Sequence, residues 1–316
     1  MTYPQIGNYG ITARDNESAR PRLSGFIVRE LCRTPSNHES IESVESLLKR
    51  HGIVAIEGID TRALTLRLRD KGALRGAIST LDGDAKRLVA KAKASPSMTG
   101  LNLAKVVTCE KPYEWTDGVA AKPALHVVVM DFGVKHGILR GLAALGARVT
   151  VVPSSTTADQ ILRLKPDGVL LSNGPGDPEP VTDAIAAVQA LIAERLPIFG
   201  ICLGHQLLGL AFGGRTYKLK FGHHGSNHPV KDLETGKIEI TSQNHGFCVD
   251  LDSLPAEVKT THVNLNDGTS EGMAHATLPV FSVQHHPEAS AGPHDSRYLF
   301  ERFRTKMRER QEALSR

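Results

Sequence analysis

Residues 196–212 read LPIFGICLGHQLLGLAF. A short apolar run, a Gly-x-Cys-x-Gly turn and an amphipathic stretch are typical of a buried strand that leads directly into a helix. So tight a turn leaves no room for side chains two positions either side of its centre, which explains Gly200 and Gly204. We expect Cys202 to stand above the end of the strand, where the amides of the following helix favour a thiolate. The alternative is a buried structural cysteine in a glycine-rich turn.

The same rhythm of strand, turn and helix extends over residues 121–316. Helices are predicted near residues 134–145, 157–164, 181–194 and 204–212, and apolar strands precede them at LHVVVM (125–130), ARVTVV (147–152), DGVLLS (167–172) and LPIFGI (196–201). Continuous apolar strands alternating with helices predict an α/β fold with a doubly wound, mostly parallel sheet. Such sheets hold their active sites beyond the carboxyl ends of the strands.

Residues 1–120 have a different pattern, which predicts a smaller α+β domain followed by a linker. Short apolar runs lie at 26–31, 51–58 and 74–80, and a helix between the last two is capped by Asp60 and ended by Gly72. The segment KPYEWTDGVAAKPA (111–124) contains two prolines and has no periodicity, which indicates a linker. The predicted domains are therefore 1–120 and 121–316.

Composition excludes several classes of protein. The chain has 316 residues, 40% of them hydrophobic, which is enough for two folded domains. A net charge of +4 and only 5% aromatic residues argue against binding to nucleic acid or to an anionic membrane. The N-terminus lacks the features of a signal peptide, and the four cysteines form no CxxC pair. We therefore expect a cytoplasmic protein.

A histidine and a carboxylate follow the predicted strand PVFSVQ (279–284), in the sequence QHHPE. Proline holds the preceding residue extended, so His286 and Glu288 project to the same side and the carboxylate can orient the imidazole. This pair would serve Cys202 as a general base with its orienting group. His285 would point the other way and is the alternative base. Without Cys202, the segment would read as an ordinary surface turn.

Two further segments follow predicted strands. SNGPGDP (172–178) has glycines on both sides of a proline, and its exposed amides suit an oxyanion hole together with the amide of Leu203. QNHGF (243–247) follows the strand KIEITS and could line a pocket. An ordinary polar loop is the alternative for each segment.

No cofactor motif is present in the sequence. His223, His224, His228 and His245 match no zinc-binding spacing, and no cysteine or carboxylate next to them in sequence completes a ligand set. The glycine-rich stretches contain neither GxGxxG after a strand nor GxxxxGK[ST]. We therefore expect neither a metal nor a nucleotide in this chain.

Four segments together, GICLGHQ, SNGPGDP, QNHGF and HHPEAS, resemble the class I (triad) glutamine amidotransferases. The order of nucleophile, histidine and acid differs from that of α/β-hydrolases. More narrowly, nearly the whole chain is similar to the small, glutamine-hydrolysing subunits of carbamoyl-phosphate synthases. That similarity includes YPQIGN (3–8), HGIVAIEGIDTRALT (51–65), MTGLNLAKVVT (98–108), FGHHGSNHPVKD (221–232) and HPEASAGPHD (286–295).

The resemblance implies a role for each matching residue. Cys202 would form a glutamyl thioester, His286 would act as general base and acid, and Glu288 would support it. Contacts to L-glutamine would come from Gly174, Gly176, Leu203, Gln206, Asn244, Gly246 and Phe247. The family passes ammonia through a tunnel to a large subunit, which holds ATP and Mg²⁺ and makes carbamoyl phosphate for arginine and pyrimidine synthesis. The expected partner is therefore that subunit, in a heterodimer or a larger assembly.

Two departures from the family leave alternatives open. Relatives usually begin several dozen residues upstream of Met1, and that part includes a serine that contacts glutamine. We therefore expect an N-terminally truncated first domain with exposed sheet edges. His285 occupies a position where close relatives have glycine. The alternatives are a structural or regulatory subunit with impaired catalysis, and a cysteine-dependent ester or lactone hydrolase, which the order of the triad disfavours.

Overall fold

Residues 1–315 are described by the structure, a computed structural model. They divide into two compact units, the first covering Met1–Ser97 and the second beginning at Met98. Residues 98–120, which the sequence placed with the first domain, thus belong to the second unit. No helix among residues 1–315 is long and apolar enough to cross a membrane.

The first unit combines short strands with three helices, of which the sequence predicted only the second. Strand β1 (Gln5–Ile6) pairs in parallel with β3 (Glu30–Leu31), and β2 (Phe26–Ile27) pairs in parallel with β4 (Ala55–Ile56). The helices are α1 (Val44–Arg50), α2 (Thr61–Lys71) and α3 (Ala85–Ala94). The predicted bounds of α2 are confirmed: the Asp60 carboxylate accepts from the amide of Ala63 at 2.9 Å, and Gly72 ends the helix at a φ of 88°.

The apolar run at residues 74–80 forms neither helix nor strand. It pairs with no other strand in the described part of the chain. A β-strand is stabilised by backbone hydrogen bonds to a neighbouring strand. Because this run has no such neighbour, apolar side chains alone do not make it a strand.

The second unit alternates strands and helices through its first half. Its elements are α4 (Ala104–Val107), β5 (Tyr113–Trp115), β6 (Leu125–Asp131), α5 (His136–Ala144), β7 (Ala147–Pro153), α6 (Ala158–Arg163), β8 (Gly168–Leu171), α7 (Thr182–Ala193), β9 (Ile198–Ile201), α8 (Leu203–Ala211), β10 (Arg215–Asp232), β11 (Ile238–Asp250), β12 (Val258–Asn264), β13 (Ser270–His275), β14 (Val280–Val283) and α9 (Tyr298–Leu314). Each predicted helix lies within about two residues of its expected position.

Ten strands form one sheet in the order β11-β10-β12-β13-β14-β9-β8-β6-β7-β5. The five strands from β14 to β7 are parallel, which confirms the predicted doubly wound α/β core. The chain runs from β6 outward to β7 and then returns across β6 to β8, so the winding direction reverses there. The carboxyl ends at such a reversal form a crevice.

Antiparallel strands extend the parallel core on both sides. On one side, β13, β12, β10 and β11 continue the sheet from β14, and on the other side β5 pairs with β7. The predicted linker at 111–124 therefore contains an edge strand. A three-residue strand is too short to show a periodic pattern in sequence. It forms here because the edge of β7 offers backbone hydrogen-bond partners.

Helices cover both faces of the parallel core. Alternate residues of β6 point to opposite sides, with Val128 and Met130 in one apolar layer and Val127 and Val129 in the other. Helices α6, α7 and α8 complete the first layer, and α5 and α9 complete the second. Every residue of β6 is buried, and its central run, residues 127–130, is continuously apolar rather than alternating, as expected for a strand covered on both faces.

We predict that Phe303→Ala lowers the free energy of unfolding of the second unit by about 3–5 kcal/mol. The Phe303 ring on α9 is fully buried, with its centroid 5.8 Å from that of Phe199. Urea titration followed by the fluorescence of the single tryptophan, Trp115, measures the change. Arg308→Ala, at an exposed position of the same helix, is the control, and an equal effect of both substitutions would contradict this account of the core.

Candidate active site

Cys202 stands at the junction of β9 and α8 in a backbone conformation that side chains rarely adopt. Its φ is 55° and its ψ −102°, and the residue is 3% exposed. A Cβ at Gly200 would lie 2.7 Å from the carbonyl oxygen of Gly204, and one at Gly204 would collide with the backbone of Leu171. The two glycines therefore permit the turn, as the sequence predicted.

The turn directs backbone amides toward the space above the sheet. The Cys202 amide donates to the carbonyl of Val283 on β14 at 2.9 Å, which ties the turn to the neighbouring strand. The Leu203 amide is the first of α8, and the first amides of a helix have no acceptor within the helix. This position suits the stabilisation of negative charge on a substrate oxygen.

His286 and Glu288 meet directly above the end of β14. The distance from His286 Nδ1 to Glu288 Oε1 is 2.7 Å, and both residues are buried. The Cys202 sulfur lies close enough to the His286 ring to raise the pKa of that ring. The amide of His286 donates to the carbonyl of Ser242 on β11 at 3.0 Å. The structure thus brings together the three residues that the sequence singled out.

The charges of this group stabilise one another against burial. Burial alone lowers the pKa of His286, but the Glu288 carboxylate and the Cys202 sulfur raise it, to about 10 overall. Burial raises the pKa of Glu288, but His286 and Lys135 lower it, to about 2 overall. An imidazolium and a carboxylate are therefore the favoured forms near neutral pH.

Lys135 also belongs to this group, although the sequence did not predict it. Its Nζ lies 3.1 Å from Glu288 Oε1 and donates to the carbonyl of Ala289. The side chain of Asn173 accepts from the Lys135 amide at 3.1 Å and thereby holds the loop after β6 in place. A lysine in the short loop between a parallel strand and the next helix was the available signal, because such loops line the carboxyl edge of the sheet.

The SNGPGDP loop is tightly fixed against its surroundings. A Cβ at Gly174 would collide with the Phe132 carbonyl, and Gly176 has a φ of 93°. The carboxylate of Asp177 accepts from the amide of Gly100 at 2.8 Å. These contacts hold the predicted substrate-binding glycines at the carboxyl end of β8, beside the turn that carries Cys202.

Gln206 connects α8 to the QNHGF segment on β11. Its Nε2 donates to the Phe247 carbonyl at 2.9 Å and to Gln284 Oε1 at 3.1 Å. Asn244 lies on the same strand with its side-chain oxygen 2.9 Å from His224 Nδ1, and a Cβ at Gly246 would meet only Lys218. The structure therefore joins Gln206 to Phe247 and leaves Asn244 exposed, with its side chain bonded to His224.

His285, the alternative base, faces away from Glu288. The ring is fully buried, and its Nδ1 lies 3.8 Å from Oε2 of Glu271, a buried carboxylate on β13. The His262 ring packs edge-on against it at 5.8 Å between centroids. The geometry therefore favours His286 as the partner of Cys202.

Family models match both units. The model described as "Glutamine amidotransferase class-I" matches residues 128–306, which include Cys202, His286 and Glu288. The model described as "Carbamoyl-phosphate synthase small chain, CPSase domain" matches residues 1–78.

Individual relatives agree with these matches. A carbamoyl phosphate synthase small chain from Syntrophotalea carbinolica is 55% identical, over 96% of this chain and 83% of that protein. One from Solidesulfovibrio magneticus is 56% identical, over 98% of this chain and 85% of that protein. A solved structure from Thermoplasma acidophilum, described as a GMP synthase subunit, is 25% identical with a TM-score of 0.54, over 61% of this chain and 98% of that one.

We predict that Glu288→Gln lowers the pKa of His286 by about 1–3, because a neutral amide no longer compensates for burial of the imidazolium. Titration of the histidine side-chain nitrogens by NMR measures this pKa. Glu309→Gln, at an exposed position on α9, is the control. An unchanged pKa of His286 in Glu288→Gln would contradict the electrostatic coupling described above.

Proposed function

The chain belongs to the carbamoyl phosphate synthase small-chain family, and from this premise we propose that it hydrolyses L-glutamine to glutamate and ammonia at Cys202. One observation carries the proposal: His286 Nδ1 lies 2.7 Å from Glu288 Oε1, and the Cys202 sulfur lies close enough to the same ring to raise its pKa. This is the arrangement that a cysteine nucleophile needs for acyl transfer.

In the proposed first step, the Cys202 thiolate attacks the side-chain amide carbon of glutamine. Negative charge develops on the amide oxygen, where the Leu203 amide and the SNGPGDP loop stabilise it. The His286 imidazolium then donates its proton to the amide nitrogen as the carbon–nitrogen bond breaks. The products of this step are ammonia and a glutamyl thioester on Cys202.

Water resolves the thioester in the second step. His286, now neutral, accepts a proton from water as the oxygen attacks the thioester carbon, and the Cys202 thiolate leaves. Glu288 keeps the His286 ring in the orientation that this exchange requires, and Lys135 keeps Glu288 ionised. The second product is glutamate, and the enzyme returns to its starting protonation state.

Substrate binding is proposed for the residues around this sulfur. Gly174, Gly176, Leu203 and Gly246 would offer backbone groups to the α-amino and α-carboxyl ends of glutamine, and Gln206, Asn244 and Phe247 would complete the pocket. Glycines suit this task because a ligand can approach their backbone closely.

Family membership also supports a proposal for what happens to the ammonia. It would pass to a large subunit that binds ATP and Mg²⁺ and makes carbamoyl phosphate for the arginine and pyrimidine pathways. The two chains would work as a heterodimer or a larger assembly in the cytoplasm. This chain itself would need no cofactor for hydrolysis.

We predict that Cys202→Ser, purified with the large subunit, forms glutamate from glutamine about a thousandfold or more slowly than the unmodified chain. Cys32→Ser is the matched control, because Cys32 lies in the first unit. Equal rates for the unmodified chain and Cys202→Ser would contradict the proposal. Normal binding to the large subunit without hydrolysis in either would indicate a structural subunit, and turnover of activated esters without turnover of glutamine would indicate an ester hydrolase.

A further inference from the structure

Three buried side chains that the proposed reaction does not use converge between antiparallel strands. His223 on β10 and His245 on β11 are cross-strand partners, and Glu271 comes from β13. Their exposed fractions are 5%, 5% and 0%. We call these residues the His–Glu cluster. The sequence spacing does not predict this cluster, because only the pairing of the strands brings Glu271 beside the two histidines.

The facing atoms of the His–Glu cluster have the separation of ligands around one small ion. His223 Nδ1 lies 3.2 Å from His245 Nε2 and 3.5 Å from Glu271 Oε1, and the three atoms all lie within 4.8 Å of one another. Zinc bonds nitrogen and carboxylate oxygen at about 2.0–2.2 Å, so neighbouring ligands in a tetrahedral site are about 3.3–3.5 Å apart. Two of the three separations are close to this range.

The opposite nitrogen of each histidine is already engaged in the manner of a metal ligand. His223 Nε2 lies 2.8 Å from a carboxylate oxygen of Asp267, and His245 Nδ1 lies 2.8 Å from the carbonyl oxygen of Phe247. Metal-bound histidines almost always donate their second N–H to a carboxylate or a backbone carbonyl. This pattern leaves Nδ1 of His223 and Nε2 of His245 to face the shared space.

Glu271 is held in the same way. Gln243 Nε2 donates to its Oε2 at 2.8 Å, and Asn264 Nδ2 donates to its Oε1 at 2.9 Å. Ligating carboxylates commonly carry such supporting hydrogen bonds. The Oε1 of Gln243, on a side chain that is 2% exposed, has no hydrogen-bond partner in the described part of the chain.

From this geometry we propose that His223, His245 and Glu271 bind a divalent transition-metal ion of the zinc type. Two imidazoles and one carboxylate form a donor set that suits Zn²⁺. On binding, the ion takes the place of the proton between His223 and His245, and that proton passes to solvent. A water molecule or a neighbouring oxygen would complete four-coordination.

A second group of the same residue types shows why the His–Glu cluster stands apart. His262, Asp232 and Glu239 also lie close together. However, both ring nitrogens of His262 bond hydroxyl groups, those of Thr261 and Tyr298. Asp232 accepts three bonds from its own turn, and Glu239 accepts one from Ser296. Hydrogen bonding accounts for that group without a metal.

A metal in the His–Glu cluster would fix the strand beside the candidate active site. His245 lies between Asn244 and Gly246, so an ion bound to its ring restrains the segment proposed to contact glutamine. The metal proposal does not depend on the proposed hydrolysis, and its test is a binding measurement.

The test is equilibrium dialysis of the full chain against Zn²⁺ in the presence of a competing chelator. All proteins carry Cys202→Ser, because the Cys202–His286 pair could itself bind zinc. We expect one tightly bound ion per chain. Glu271→Gln, which preserves the shape of the side chain, should weaken binding at least about 100-fold, and Asp267→Asn about 10- to 100-fold. Co²⁺ in place of Zn²⁺ should give the visible absorption of a four-coordinate site.

Two control substitutions make the result specific. His38→Ala removes an exposed histidine, and Glu239→Gln alters the second group, so neither should change the affinity. Trp115 fluorescence and circular dichroism establish that each variant is folded. The proposal is overturned if no ion is retained against the chelator, which leaves a proton-bridged histidine pair. It is also overturned if binding is unchanged in Glu271→Gln and Asp267→Asn, whether or not Glu239→Gln weakens it.

Discussion

The strained backbone at Cys202 is the constraint on which the site depends. A residue with a φ of 55° between β9 and α8 is tolerated only because the positions two before and two after it have no side chain. The hydrogen bond from the Cys202 amide to the Val283 carbonyl then fixes the position of the turn relative to β14. Since β14 also delivers His286, one turn and one strand pairing determine the distance between sulfur and imidazole.

Burial gives this contact its chemical character. In water, an imidazolium, a carboxylate and an ammonium group would be screened from one another. Glu288 and His286 are almost fully buried, so their charges interact more strongly than they would in water. The His286 imidazolium, together with Lys135 in the loop after β6, supplies the positive charge that compensates for burial of the Glu288 carboxylate. The polar site thus depends on the same parallel strands whose apolar faces form the core.

Much of this organisation can be predicted from local sequence. The helix caps at Asp60 and Gly72, the apolar central run of β6 and the glycines around Cys202 each follow from a local rule, and the structure bears them out. Strands β10, β12 and β13 were not predicted, because polar and glycine-rich sequences form strands only where a neighbouring edge is available. Lys135 and Glu271 were missed for a similar reason, since their partners are distant in sequence.

Covalent labelling tests the central claim, that Cys202 is the nucleophile for a glutamine-like substrate, most directly. A glutamine analogue with a chloromethyl ketone in place of the side-chain amide would be incubated with the chain and its large subunit, and the labelled peptides mapped by mass spectrometry. The account predicts modification of Cys202 alone among the four cysteines, with protection by glutamine. Labelling of Cys32, Cys109 or Cys248 with Cys202 unmodified, or labelling of Cys202 that glutamine does not slow, would contradict it.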